Sequence, residues 1–447
     1  MEGRREMGSD GKTPTILRST LYGYGAGAVY LLTGLLSSII ISRYLGAEAL
    51  GQYYFIIALN SLLTNLISGG IGLAHSTFLA RKEHTLSEMN SVSVFFSAVL
   101  GGGAIMLFYI LRALWPAIFA SASTAYLQWS VLVLPLSLFF RYWNSIMVGL
   151  DRIDRLSTML SLSSIIWNLL IAVAVFIKSG MEGLFTAWML NFLIGTFMMM
   201  KATPGERLIY RHNPGLFRKA FLFGFRGNLG EIATELWKKV DVFLIYYFCG
   251  VEKVGYYSVA LTLIEKFNQI TAPVRIAITP KVASHSTHDA TVLVEKASRQ
   301  ILWSTALIAL LLLLASRIMI TVFYGESFLP SLDPFRILVV GAAFSSVATV
   351  LSIFFIGQLK RPELLSLMAW LNVCINVVLC LFLIPMWGLK GAALSTAVTS
   401  VVGTLIAVAV YSRLTERPAG GLLVLRLSDL QPLHRLLPGR TVRERTQ

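Results

Sequence analysis

Apolar stretches of about twenty residues recur from one end of this chain to the other, and a helix of that length crosses a hydrocarbon layer of roughly 30 Å. Twelve such stretches fall near residues 21–42, 53–79, 92–111, 129–150, 156–177, 183–200, 220–248, 254–278, 301–323, 335–356, 364–386 and 392–411. No interval between them has room for a soluble catalytic domain, so an enzyme is not expected. The runs are continuous and lack the period-two alternation of an outer-membrane strand, which predicts helices. With 55% hydrophobic and only 14% charged residues, the 447-residue chain carries more apolar surface than a soluble fold of its size can hide. The expectation is an all-α membrane protein.

A formal charge of +15 suggests nucleic acid in a soluble protein, but here the basic residues sort by loop. One side collects Arg4, Arg5, Lys12 and Arg18, then Arg81 and Lys82, Arg152 and Arg155, the Lys201 to Lys219 segment, Lys281, Lys296 and Arg299, Lys360 and Arg361, and the arginines from Arg413 to Arg445. The other side has only Arg43, Arg112, Lys178, Lys253, Arg336 and Lys390. That asymmetry is a positive-inside signal and puts both termini in the cytoplasm, with no nucleic-acid partner. The first twenty residues lack an apolar core followed by a small-residue cleavage site, so the first span is expected to stay in the membrane.

The chain also repeats itself. Gly46-Ala-Glu48-Ala-Leu-Gly51-Gln-Tyr53 recurs as Gly250-Val-Glu252-Lys-Val-Gly255-Tyr-Tyr257. Gly180-x-x-Gly183 recurs as Gly388-x-x-Gly391, and Gly195-Thr196 as Gly403-Thr404. The repeat distance covers six spans, an even number, so both copies run the same way through the membrane, as parallel repeats do. This gives a cytoplasmic segment over 1–19, a six-helix bundle over 20–200, a basic cytoplasmic linker over 201–219, a second six-helix bundle over 220–412, and a basic cytoplasmic tail over 413–447.

Several motifs resemble the multidrug, oligosaccharidyl-lipid and polysaccharide exporter superfamily, and within it the Wzx-type flippases of polysaccharide biosynthesis. They are Arg43-Tyr-Leu-Gly46 through Tyr53, Lys239-Val-Asp241-Val-Phe-Leu running into Gly250 to Tyr257, Pro280-Lys281, Tyr324-Gly325-Glu326-Ser-Phe328, and Gly388-Leu-Lys-Gly391-Ala-Ala. The resemblance extends to about Tyr411. It implies two six-helix bundles forming a V, a central cavity that opens alternately to either side, and a polyprenyl-pyrophosphate oligosaccharide as cargo. It further implies a bacterial inner-membrane location, with a polysaccharide polymerase and glycosyltransferases as partners. Two departures stand out: the terminal span pair of fourteen-helix members is missing, and the first span has no clear Arg-Asp pair of the kind found in lipid II flippases.

Ionisable groups at the bilayer centre are costly, so they face water or one another. The seventh span carries Arg226, Glu231, Glu235, Lys238, Lys239 and Asp241, and all but Arg226 fall on about half of the helix circumference. The eighth has Glu265, Lys266, Asn268, Gln269 and Arg275, with Pro273 and Pro280 expected to bend it. Arg141, Arg226, Lys238, Lys239, Lys266 and Arg275 are therefore candidates to receive a pyrophosphate. Glu231, Glu235, Asp241 and Glu265 are candidates to carry Na⁺ or H⁺ as the coupling ion. The competing reading is intrahelical neutralisation, Glu235 with Lys239 above all.

Six bases against four acids favour an anionic cargo over a cationic drug. The leading expectation is a lipid-linked oligosaccharide flippase. Two alternatives share the same spans: an ion-coupled small-molecule or multidrug exporter, and a non-transporting scaffold of a polysaccharide synthesis complex. Cys249, Cys374 and Cys380 show no metal-ligand spacing, no nucleotide-binding loop is present, and no metal or other cofactor is expected.

Overall fold

A computed structural model of the chain describes residues 16–114, 116, 126–202, 210–269, 271–284 and 286–424. The expected segments at 1–15, 203–209 and 425–447 lie outside the described residues, and with them Arg4, Arg5, Lys12, Arg207 and the arginines from Arg426 to Arg445. Every element among the described residues is helical. The order is α1 (Ile16–Ile67), α2 (Ile71–Ala80), α3 (Leu86–Phe96), a π-turn (Ser97–Gly101), α4 (Gly102–Leu114), α5 (Leu127–Leu132), α6 (Leu134–Gly149), α7 (Ile153–Phe176) and α8 (Gly180–Ala202). There follow α9 (Pro214–Cys249), α10 (Val251–Gln269), α11 (Ala272–Ser284), α12 (Thr287–Phe323), α13 (Leu332–Gly357), α14 (Pro362–Trp387), α15 (Leu389–Thr415) and the short α16 (Gly420–Leu423).

Among the described residues, eight segments are long and apolar enough to cross a membrane. The other expected spans have visible reasons for falling short of that criterion. The 52 residues of α1 hold two of them, divided by Gly46 at φ 76°, ψ −174°. The fourth is split into α5 and α6 ahead of Pro135. The seventh and eighth, α9 and α10, carry the charges already noted.

Three expected boundaries are corrected. The span placed at 53–79 ends at Ile67, because Gly69 and Gly70 both take positive φ, 58° and 67°, and start α2 afresh. The span placed at 254–278 is two helices, since α10 ends at Gln269 and Pro273 occupies the first turn of α11, where a proline lacking its N–H is tolerated. Within the segment expected as a linker over 201–219, Pro214 starts α9.

The chain divides into two compact units, one of Met1–Ile40 with Leu66–Gly227 and the other of Ile41–Asn65 with Asn228–Gln447, so α1 and α9 each contribute to both. In the first unit, Phe78, Met89, Tyr142, Trp143 and Phe217 form the centre of a buried core. Gly70 and Gly224 touch there, and a β-carbon on either would overlap the other's carbonyl. A capping box starts α3: Thr85 Oγ1 accepts from the Glu88 amide at 3.3 Å, and the Thr85 amide donates to Glu88 Oε2 at 2.9 Å. Arg155 Nη1 donates to the Ala202 carbonyl at 2.6 Å, closing the negative end of α8. Between α2 and α3, the Lys219 ammonium 3.2 Å from Glu83 holds that carboxyl below its usual range.

In the second unit the core lies among α11, α12, α13 and α15, with Val294, Val350, Phe354 and Tyr411 near its centre. Arg43 Nε donates to the Phe323 carbonyl at 2.8 Å and so caps the C-terminus of α12. Ser286 Oγ accepts from the Asp289 amide at 3.2 Å at the other end of that helix. The chain beyond α15 is strapped to α12: Arg299 donates to the Gly421 carbonyl, Trp303 Nε1 to the Leu423 carbonyl at 3.1 Å, and Arg417 lies 3.7 Å from Glu295.

The repeated glycines have matching roles. Gly46 and Gly250 both take left-handed φ, 76° and 87°, as do Gly180 and Gly388 at 62° and 56°. The second glycines of the first pair then meet. A β-carbon on Gly51 would overlap the Val251 carbonyl, and one on Gly255 the Ala47 carbonyl, so the two copies of the motif cross backbone to backbone. We expect Gly51→Val or Gly255→Val to cost about 1–3 kcal/mol or more through overpacking. Gly103→Ala, where a β-carbon meets nothing within 4 Å, should stay within about 0.5 kcal/mol of wild type. Thermal unfolding in detergent checks both, and equal midpoints for all three variants would contradict the crossing.

Candidate functional site

The part of α9 that belongs to the second unit begins at Asn228, whose side-chain amide donates to the Asn65 carbonyl at 3.1 Å. Its rotation is set by aromatic packing on α1. Phe55 stacks on Tyr246 with ring centroids 4.2 Å apart and meets Phe243 edge-on at 5.5 Å. That contact turns one face of α9 towards α1 and α10. Glu235 Oε1 accepts from Ser61 Oγ at 2.5 Å. One turn on, Lys239 Nζ lies 3.4 Å from both Tyr54 Oη and Glu265 Oε1, and 5.2 Å from the centre of the Tyr54 ring. Glu235 and Lys239, spaced four apart, thus turn to other helices rather than to each other. With its side chain only 14% exposed, Lys239 needs these partners, since an unpaired ammonium in a membrane span costs about 2.5–3.5 kcal/mol even on lenient scales.

Asp241 is the most deeply buried acid of the candidate set, at 1% exposure. Its Oδ2 accepts from Tyr257 Oη at 2.6 Å and from Thr396 Oγ1 at 3.2 Å, and its Oδ1 from the Val242 amide at 2.9 Å. Three donors on one carboxylate, none of them charged, leave its own charge uncompensated by any direct cation.

Asp241 and Lys238, three residues apart on α9, face a cavity of ≈ 360 Å³ enclosed by α9, α10, α13 and α15. The α10 wall is a single helical stripe, Leu261, Ile264, Glu265 and Asn268, and the α13 wall another, Leu338, Ala342 and Ser345. The polar groups on the wall are unevenly satisfied. Glu265 is paired with Lys239, and Ser345 and Ser400 donate to carbonyls of their own helices. The Lys238 ammonium and the Asn268 and Gln269 amides make no hydrogen bond or ion pair among the described residues. The buried Trp237 indole N–H also lacks a partner.

The structure therefore brings Glu235, Lys238, Lys239, Asp241 and Glu265 together in one unit. Glu231 is exposed on α9, Lys266 is half-buried on α10, and Arg275 is exposed on α11, across the break from Lys266. Arg141, half-buried on α6, belongs to the other unit, as does Arg226 on α9, whose side chain is outside the described set. Sequence reasoning did not find Tyr54, Ser61, Trp237, Tyr257 or Thr396 as partners. Only Tyr257 carried a signal, because it closes the second copy of the repeated glycine motif.

Solved structures share this fold. The chain is similar to a lipid II flippase, MurJ, in an inward closed conformation (TM-score 0.74, 16% identity, covering 93% of this chain and 92% of that one). It is also similar to an inward-facing multidrug resistance transporter of the MATE family (TM-score 0.71, 14% identity, covering 90% and 98%). The chain thus shares the multi-pass helical fold of these transporters. Among curated proteins, a Shigella flexneri protein assigned provisionally as an O-antigen transporter is 21% identical over 422 residues, 90% of this chain and 98% of the relative. Residues 16–286 match the family of polysaccharide biosynthesis proteins, and the chain belongs to that family.

The buried carboxylate gives a direct check on this geometry. Tyr257→Phe removes the shortest donor to Asp241 without changing shape, and we expect it to lower stability by about 1–3 kcal/mol. Chemical or thermal unfolding of the purified protein measures this; an unchanged midpoint would mean that the hydroxyl does not serve the carboxylate.

Proposed function

We propose that this chain is a flippase that carries a polyprenyl-pyrophosphate oligosaccharide across a bacterial inner membrane by alternating access, with both termini in the cytoplasm. The observation that carries this reading is Lys238, a cation on a cavity wall in a membrane protein of the polysaccharide biosynthesis family, which makes no ion pair among the described residues. An unpaired ammonium there suits an anionic group of the cargo. The similarity to an O-antigen transporter and to a lipid II flippase supports the same cargo class. In this proposal Lys238 meets the diphosphate, helped by Arg141, Arg226, Lys266 and Arg275. Lys239 holds Glu265 and the wall in place, and the prenyl tail stays in lipid. The cargo is made by glycosyltransferases and consumed by a polymerase.

Asp241 is proposed as the coupling carboxylate. It sits on the cavity wall, fully buried, with neutral donors only, so gain or loss of H⁺ or Na⁺ there would change the charge of the wall during the transport cycle. Glu231, Glu235 and Glu265 are secondary candidates, and of these Glu235 and Glu265 already have partners in the structure.

Deletion of the gene should abolish surface polysaccharide and trap lipid-linked oligosaccharide on the cytoplasmic side, while drug sensitivity stays unchanged. Complementation with Lys238→Ala should restore roughly a tenth of the polymer or less, as loss of one charge-assisted contact implies, and Lys238→Arg should restore most of it. Asp241→Asn should fail to complement although the protein reaches the membrane. Full complementation by Lys238→Ala would favour a scaffold; drug hypersensitivity with intact polymer would favour a drug exporter.

A further inference from the structure

The cavity wall differs from an anion site in one respect. Its single unpaired cation, Lys238, shares the space with two carboxylates, Asp241 and Glu265, so the site as a whole offers a diphosphate no net positive charge. What it does offer is unsatisfied neutral hydrogen-bonding capacity beside an aromatic ring. The Asn268 and Gln269 amides each present donors and an acceptor with no partner among the described residues, and Trp237 lines the same wall. Both amides are open to the cavity and free of partners among those residues, which leaves them available to a ligand. Ser345 and Ser400 spend their protons on their own helices and keep acceptor lone pairs for a hydroxyl.

Groups that both donate and accept match hydroxyls, which do the same, and a flat indole matches the C–H face of a pyranose. The volume, ≈ 360 Å³, is that of about a dozen waters, the size of one sugar ring with its substituents. It also lies within the range of small-molecule sites.

We propose that this cavity in the second unit is a sugar subsite: it holds one uncharged pyranose ring, stacked on Trp237 and hydrogen-bonded by Asn268 and Gln269. Lys238 marks the junction with the diphosphate. The inference rests on the flippase reading for the identity of the cargo but makes its own claim, that the cavity selects carbohydrate rather than phosphate.

The test is saturation-transfer NMR on the full-length protein in nanodiscs, with methyl glycosides of glucose, galactose and rhamnose and with N-acetylglucosamine as probes, and inorganic pyrophosphate as competitor. At least one sugar should receive saturation on its ring protons. The signal should fall roughly tenfold in Trp237→Ala and in Asn268→Ala, persist in Trp237→Phe, and resist pyrophosphate. Asn268 is exposed, so its truncation reports binding rather than folding. Absence of transfer to every sugar, equal transfer in both alanine variants, or displacement by pyrophosphate would overturn the proposal. Failure of the flippase reading shows separately, as intact surface polymer in the deletion strain.

Discussion

An ammonium or carboxylate inside a hydrocarbon layer has to be paired, hydrogen-bonded or wet, and the second unit of this protein is organised around that requirement. Lys239 reaches Glu265 on the next helix and Tyr54 on α1, Glu235 takes the Ser61 hydroxyl, and Asp241 takes Tyr257 and Thr396. Two of these bonds reach α1, two reach α10 and one reaches α15, so the charges of one helix tie three others together. The groups left over, Lys238 and the two amides of α10, line the cavity. Along this one helix Glu235 and Lys239, four apart, face α1 and α10, Lys238 and Asp241, three apart, face the cavity, and Asp241 serves both.

Such bonds need helices that come close, and the repeated glycines permit this. Gly46 and Gly250 turn the chain in a conformation that L side chains rarely adopt, and Gly51 and Gly255 then let the two copies cross without side chains between them. The crossing brings the start of α10 against the second half of α1, the same stretch that supplies Tyr54, Phe55 and Ser61 to α9. The repeated motif is therefore a packing device, and the charged cluster sits on the scaffold that it creates.

Much of this was legible in the sequence. The apolar runs gave the helical membrane class, and the glycine spacing gave the repeat, because both are local signals set by span length and backbone conformation. The outlying charge of α9 pointed to Asp241, Lys238 and Lys239 for the same reason. At Pro273 a bend was expected where the chain instead starts a new helix, and the break at Gly69–Gly70 was not legible, since glycine is also tolerated inside membrane helices. Nor were the partners. A period of 3.6 places Glu235 and Lys239 on one face but does not say that Ser61, Tyr54 and Glu265 will claim them first. Thr396 lies more than 150 residues from Asp241, and no local pattern connects them.

Transport through the cavity beside α9 requires that it be open to water in the membrane-embedded protein. With Cys249, Cys374 and Cys380 replaced by alanine, single cysteines at Asn268→Cys and Ser345→Cys can be compared with Leu314→Cys, an apolar α12 position that is 74% exposed. In nanodiscs, a charged methanethiosulfonate reagent should modify the first two and spare the third. Labelling of none of the three would mean that the charges of α9 are sealed in a dry interface, and the cavity would have no part in transport.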